Sequence, residues 1–247
     1  MPPIRQVAPL LAFSLALLAT GGARAITYGE CTALVEQSPG EGYKAAINWA
    51  ARTDDPGAQH CAVLAEVALQ RYAAGAERLS RLIDQTANPY EAAALLGQLG
   101  NIRMLDGKPD LAVAAFTRAL NNTPNDPETL ADRARAYAAL GHWPRAVRDL
   151  DAAVQIDDGD PELYLLFATA LREAGKPDEA LGAVERALRL APDEPAILLE
   201  RGRIRLIRGD RKGAGQDWQA VKANAPAGPI RDAADASLKA LEKTKGQ

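Results

Sequence analysis

Apolar residues recur at helical spacing along most of the chain. Between Ala93 and Leu105 they fall at Leu95, Leu96, Leu99, Ile102 and Leu105, which share one face of a helix. Asp106-Gly107-Lys108 interrupts the pattern, and Gly107 stands where a helix C-terminus needs a left-handed residue. Pro109 then opens a second amphipathic stretch, at the first-turn position that tolerates proline. Leu111, Ala112, Ala115, Phe116, Ala119 and Leu120 form its apolar face, and Pro124, inside the polar run from Asn121 to Asp126, ends it. The pattern predicts a hairpin of two helices.

The same plan returns at a fixed step. Gly107, Gly141, Gly175 and Gly209 lie 34 residues apart, as do Ala112, Ala146, Ala180 and Ala214, and Pro127, Pro161, Pro195 and Pro229. Such a period marks stacked modules, none of which can bury its apolar face alone. Asp126-Pro127 and Asp160-Pro161 join a capping acid to a first-turn proline; Glu194-Pro195 and Gly228-Pro229 keep the proline with poorer caps. Small residues fill one column, Gly100, Ala134, Ala168 and Gly202, and another, Ala119, Ala153 and Ala187, with Val221 at the last step. Phe116, Leu150, Val184 and Trp218 make a column of larger ones. Small against large is what close helix packing demands.

These residues carry a family resemblance. Leu96-x-x-Leu99-Gly100, then Ala112-x-x-x-Phe116-x-x-Ala119 and Pro124, is similar to the tetratricopeptide repeat. Four units match without slippage, 93–126, 127–160, 161–194 and 195–228, within a repeat region over 91–228. The pattern's early aromatic is Leu96, Leu130, Tyr164 and Leu198 here, and its later tyrosine is kept at Tyr137. The resemblance implies an all-α fold, a right-handed α-solenoid of helix-turn-helix modules.

Residues 26–90 read as divergent modules of the same kind. Asp55-Pro56 starts a helix running to about Gln70, Arg71 to Asp84 forms a second, and Tyr28 to Gln37 with Gly42 to Arg52 makes an earlier pair. Asn88-Pro89 comes early relative to the next unit, so that unit's first helix should be a turn longer. At the other end, 229–247 predicts a capping helix with a stripe of Ile230, Ala233, Ala234, Leu238 and Leu241, since the last module needs a polar-backed cover.

The first 25 residues have the layout of a secretory signal peptide: Arg5, an apolar run from Val7 to Ala19, and small residues at Ala23 and Ala25. The run is too short for a spanning anchor, and Cys31 follows Glu30 rather than the small residue a lipid attachment needs. Removing Arg5 and Arg24 makes the remainder more acidic than the whole chain's −3, which argues against nucleic acid or an anionic membrane as partner. No second long apolar segment follows. The two cysteines, Cys31 and Cys61, would be exported; an even pair in an oxidising compartment reads as a disulfide. The competing reading is a metal site with His60, for which no fourth ligand is near in sequence.

Catalytic motifs are missing: there is no His-Glu-x-x-His, phosphate-binding glycine loop or nucleophile elbow. His142 sits in a turn beside Trp143, Asn121-Asn122-Thr123 matches a glycosylation acceptor by letter only, and Asp157-Asp158 and Asp178-Glu179 fall at helix ends. No cofactor is expected, and the chain reads as a non-enzyme. In the repeats it resembles, first helices line an inner groove. By that register the candidate partner-binding residues are Asn101, Arg135, Thr169 and Arg203 in one column, with Leu165, Leu166 and Leu199 for apolar contact and the two arginines for acidic or carboxylate groups. Gln98, Asp132, Glu200 and Arg172 are neighbours; Asp132 and Glu200 could instead neutralise the arginines. Some family members hold a peptide carboxylate with paired Lys and Asn, but the lysines are absent here. The expected function is an exported scaffold or adaptor in the bacterial periplasm that binds a protein or peptide. The alternative is an assembly chaperone for unfolded exported proteins; an enzyme acting on cell wall lacks a visible catalytic acid.

Overall fold

The computed structural model describes residues 26–243, and every regular element among them is an α-helix. The proposed leader, residues 1–25, and residues 244–247 at the end of the capping segment lie outside the described residues. The helices run in hairpins: α1 (Tyr28–Gln37) with α2 (Pro39–Ala50), α3 (Pro56–Ala68) with α4 (Tyr72–Gln85), and α5 (Pro89–Leu105) with α6 (Pro109–Asn122). Then come α7 (Pro127–Ala139) with α8 (Trp143–Ile156), α9 (Pro161–Glu173) with α10 (Pro177–Leu190), and α11 (Pro195–Ile207) with α12 (Arg211–Asn224); α13 (Pro229–Lys243) closes the row.

Each hairpin begins and ends for identifiable reasons. Proline opens α5, α7, α9 and α11 behind a side-chain cap: Asn88 accepts from the Tyr90 amide, Asp126 from Thr129, Asp160 from Glu162 and Glu194 from Ala196. The first helices stop at Gly107, Gly141, Gly175 and Gly209, with φ of +68°, +71°, +76° and +85°. The amide after each glycine donates back across the turn, Lys108 to the Arg103 carbonyl at 2.9 Å and His142 to that of Tyr137 at 2.8 Å. This motif satisfies carbonyls that a helix end leaves orphaned. In α3 the same bond runs from Arg71 to Glu66, but Gln70 takes the left-handed position, φ +58°. Helix α5 has 17 residues against 13 in α7, the extra turn expected from the early Pro89.

Packing within a hairpin depends on matched sizes. A methyl group added at Gly100 would lie 2.4 Å from the Phe116 ring, and one at Gly202 would lie 2.3 Å from Trp218 Nε1. Where the second helix carries the smaller Leu150 or Val184, the facing residue is Ala134 or Ala168, and all four are buried. A second pair of columns alternates in kind. Leu99 meets Ala115 in one apolar cluster and Phe167 packs on that of Ala183, yet Arg133 and Arg201 at the same register each grip an aspartate with two hydrogen bonds. These partners, Asp149 and Asp217, are buried, so the pairing removes what would otherwise be a costly isolated charge. Sequence reading picked out the size alternation but not this ionic one.

The two ends are closed differently. Cys31 on α1 and Cys61 on α3 form a disulfide between adjacent first helices, Cα atoms 6.3 Å apart, and both residues are wholly buried. At the other end Ala234 and Leu241 of α13 cover Trp218, Val221 and Leu199.

Two outcomes test this packing. Gly100→Ala should destabilise the protein by about 1–3 kcal/mol through overpacking. Adding Phe116→Leu, which copies the next module's Ala134–Leu150 pair, should recover part of that loss in urea denaturation, whereas additive losses would refute the size match. Reduction of the disulfide should lower stability by about 3–4 kcal/mol in the chain-entropy account. Protection of α1 amides from hydrogen exchange would then fall first, with the modules after α5 little changed.

Candidate functional site: the inner face of the first helices

First helices of successive modules pack on one another: α1 on α3, α5 on α7, α7 on α9, α9 on α11 and α11 on α13. Among the described residues no second helix packs comparably on the next one. The first helices therefore form the inner layer, and the side chains they turn away from their hairpin partners make its surface.

The structure brings the expected column onto this face, but its arginines are already engaged. Asn101 Nδ2 donates to Asp132 at 3.2 Å, and Arg135 donates to Asp132 and to Glu162, each at 2.7 Å. This chain of contacts joins α5, α7 and α9. A second network follows: Arg172 Nε donates to Glu200 at 2.6 Å and Arg203 to the other Glu200 oxygen at 3.2 Å, while Arg172 also reaches Glu173. Burial pushes the Arg172 guanidinium pKa down, but the hydrogen bonds and charges of Glu200 and Glu173 together outweigh it, and the net shift is upward. Glu200 is only 3% exposed and depends on both arginines.

The apolar candidates divide. Leu165 and Leu166 are half-buried on the wall, and Thr169 turns its hydroxyl back to the Leu165 carbonyl at 3.0 Å. Leu199 does not reach the face. It belongs to the core with Trp218, Ala234 and Leu241, because α13 closes over the position that stays partly open one module earlier. Its carbonyl accepts a hydrogen bond from Trp218 Nε1 at 3.2 Å.

Two adjoining grooves lie on the inner face. The larger, about 770 Å³, runs between α5, α7 and the loop that joins α6 to α7. Its walls carry Tyr90, Gln98, Asn101, Asn122 and Asn125. The second, about 560 Å³, lies between α7 and α9 and contains Arg135, Asp157, Asp160 and Glu162. Asp126, Glu128 and Asp132 line both. Sequence register had marked Gln98, Asn101 and Asp132 as inner positions. It missed Tyr90 in the added first turn of α5, Asn122 at the end of α6 and Asn125 in the loop after it, and it read Asp126 and Asp160 only as caps.

Near the N-terminus, His60 ties three modules together. Its Nδ1 meets the Tyr28 hydroxyl at 2.6 Å and its Nε2 meets Gln98 Oε1 at 2.7 Å. Partial burial raises the Tyr28 phenol pKa. Because Cys31 and Cys61 are joined to each other, His60 acts here as a structural link on the inner face rather than as their co-ligand. Among the described residues no group of histidine, cysteine and acidic side chains is arranged to hold a metal ion. No helix there is long and apolar enough to cross a membrane. His142 is exposed in its turn, its ring 6.3 Å from that of Tyr137.

Comparison with known proteins places this geometry. One tetratricopeptide repeat model matches residues 62–127 and 165–229, and a second matches 103–167. Small glutamine-rich tetratricopeptide repeat-containing protein 2 of Saccharomyces cerevisiae is 30% identical over 102 residues, 41% of this chain and 30% of that protein. Bacteriophage adsorption protein A of Escherichia coli is 30% identical over 96 residues, 39% of this chain but 10% of its own length. The match thus spans less than a third of either relative. Among solved structures, the C-terminal part of a tetratricopeptide repeat-containing protein from Cytophaga hutchinsonii superposes with a TM-score of 0.67 at 16% identity, covering 80% of this chain and 78% of that one. A thermophilic repeat protein of Thermus thermophilus gives 0.57 at 19% identity over 74% of this chain and 99% of its own. These likenesses identify the fold as the right-handed solenoid of helix-turn-helix modules. The matched segments run without a gap from the second hairpin to the start of the last helix, and the chain belongs to the tetratricopeptide repeat family.

Proposed function

We propose that this chain is an exported scaffold that holds an extended segment of another protein along the inner face between α5 and α9. Proteins of this repeat family generally mediate protein–protein interactions, and some bind peptides. The observation that carries the reading is the pair of adjoining grooves, about 770 and 560 Å³, with exposed hydrogen-bonding groups on their walls. A groove preformed by packed helices spares the partner's binding energy an ordering cost. Hydrogen bonds from the wall to an extended backbone, with side chains set into alternate recesses, would supply affinity and selection.

Export to an oxidising compartment is supported by two independent features. Residues 1–25 have the composition of a cleavable leader, and the two cysteines of the chain meet in a buried disulfide, a bond common in oxidising compartments and rare in the cytosol. A bacterial periplasm fits both.

Gly97 offers a clean test. It lies in the wall of the larger groove, and a β-carbon added there would meet no heavy atom within 4 Å. Gly97→Phe should therefore fold with unchanged helical circular dichroism while filling the groove. Partners retained from periplasmic extract by the parent protein should bind at least about tenfold more weakly, a loss of roughly 1.4 kcal/mol. Undiminished retention would place binding elsewhere. Equal, non-selective capture of many denatured proteins by both forms would favour the chaperone reading instead.

A further inference from the structure

The geometry points to a basic, extended polypeptide segment as the occupant of the inner groove, an inference that rests on that groove being the binding surface. The charge of its walls is one-sided. The α7–α9 groove presents six carboxylates, Asp126, Glu128, Asp132, Asp157, Asp160 and Glu162, and one guanidinium, that of Arg135. Arg135 is held between Asp132 and Glu162, so it offers a visiting acid little unspent charge. Asp126, Glu128, Asp157 and Asp160 form no ion pair among the described residues. The caps at Asp126 and Asp160 each use hydrogen bonds to the following turn, and a carboxylate retains further lone pairs for a donor from outside.

The larger groove supplies a second, uncharged chemistry suited to a peptide backbone. Asn101 spends its amide nitrogen on Asp132 and Gln98 spends its carbonyl on His60. Both residues line the same groove, and the Asn101 carbonyl and the Gln98 amino group, one acceptor and one donor, have no hydrogen-bond partner among the described residues. Asn122 and Asn125 stand exposed on the opposite lip. Tyr90, 73% exposed at the groove's end, offers a ring face for the stem and charge of a lysine or arginine. Two interhelical steps of about 10 Å separate α5 from α9, room for roughly six residues of extended chain. Amides that pair with backbone and acids that pair with alternate side chains select one partner class. An acidic peptide, including the carboxylate-bearing segment that the inner arginines suggested from sequence, would meet like charge along the same path.

The test uses the folded chain with two fluorescein-labelled peptides, one alternating Lys and Ala, the other alternating Glu and Ala, read by fluorescence anisotropy. The Lys-Ala peptide should bind and the Glu-Ala peptide should not. Glu128→Gln combined with Glu162→Gln should weaken Lys-Ala binding about fivefold. Asp151→Asn, an exposed acid on α8 outside both grooves, should leave it unchanged. Gly97→Phe should weaken it as well. Equal or tighter binding of the Glu-Ala peptide overturns the proposal. So does an equal loss with Asp151→Asn, which would mean attraction to any acidic surface. If Gly97→Phe abolishes capture of natural partners but the paired Glu→Gln variant does not, the groove binds and its preference for basic segments is refuted. If Gly97→Phe also leaves capture intact, the groove reading itself fails.

Discussion

The approach of the two helices within each hairpin sets everything else. At Gly100 and Gly202 the first helix has no side chain, and an aromatic ring from the second helix occupies the space. At Ala134 and Ala168 a methyl is tolerated because Leu150 and Val184 are smaller. The same position in successive hairpins is thus filled by different pairs of volumes, as close-packed interiors require. If one hairpin opened by a methyl's width, the next would meet it at a different angle. The row of first helices, and the grooves between them, would lose their regular spacing.

Electrostatics serve this frame before they serve any partner. Arg133 and Arg201 reach buried aspartates at a register that Leu99 and Phe167 fill with apolar contact. Replacing one member of such a pair leaves a buried charge, whereas replacing both by apolar residues is commonly tolerated. Repeats can therefore alternate between the two solutions without altering their stacking. On the inner face Glu200 is likewise bound by two arginines, which explains how a chain with many arginines on its first helices presents so little free positive charge there.

Folding and recognition share residues in the central modules. Asp126 and Asp160 cap α7 and α9, and Glu128 and Glu162 sit in their first turns, where the helix N-terminus favours negative charge. Because successive first helices lie side by side, these N-termini line up along one edge of the inner face. The acidity of the groove is then a consequence of helix initiation repeated at a fixed step. A partner with matching positive charge would exploit a pattern that the repeat already needs for stability.

Much of this could be read from the sequence because the determinants are local and periodic. The glycine at each turn, the proline after each cap, the paired columns of small and large residues, and the extra turn before Leu105 are all encoded within one module or its neighbour. The pairing of Cys31 with Cys61 was legible because they are the chain's two cysteines and follow a leader-like segment. What only the tertiary structure decided was the state of side chains that cross between modules. Arg135 and Arg203 were legible as inner residues, and Asp132 and Glu200, three positions before them, as acids able to neutralise them; the partners from neighbouring modules, Glu162 for Arg135 and Arg172 for Glu200, were not, since they lie 27 and 28 residues away. Leu199 keeps the register of Leu165 yet is buried in the core that Ala234 and Leu241 of α13 complete. Tyr90, Asn122 and Asn125 join the groove from an extended helix start, the last residue of a second helix and the loop after it, positions that the inner register of the first helices does not cover. Periodicity specifies which way a residue faces; which neighbour it meets there depends on how the modules stack.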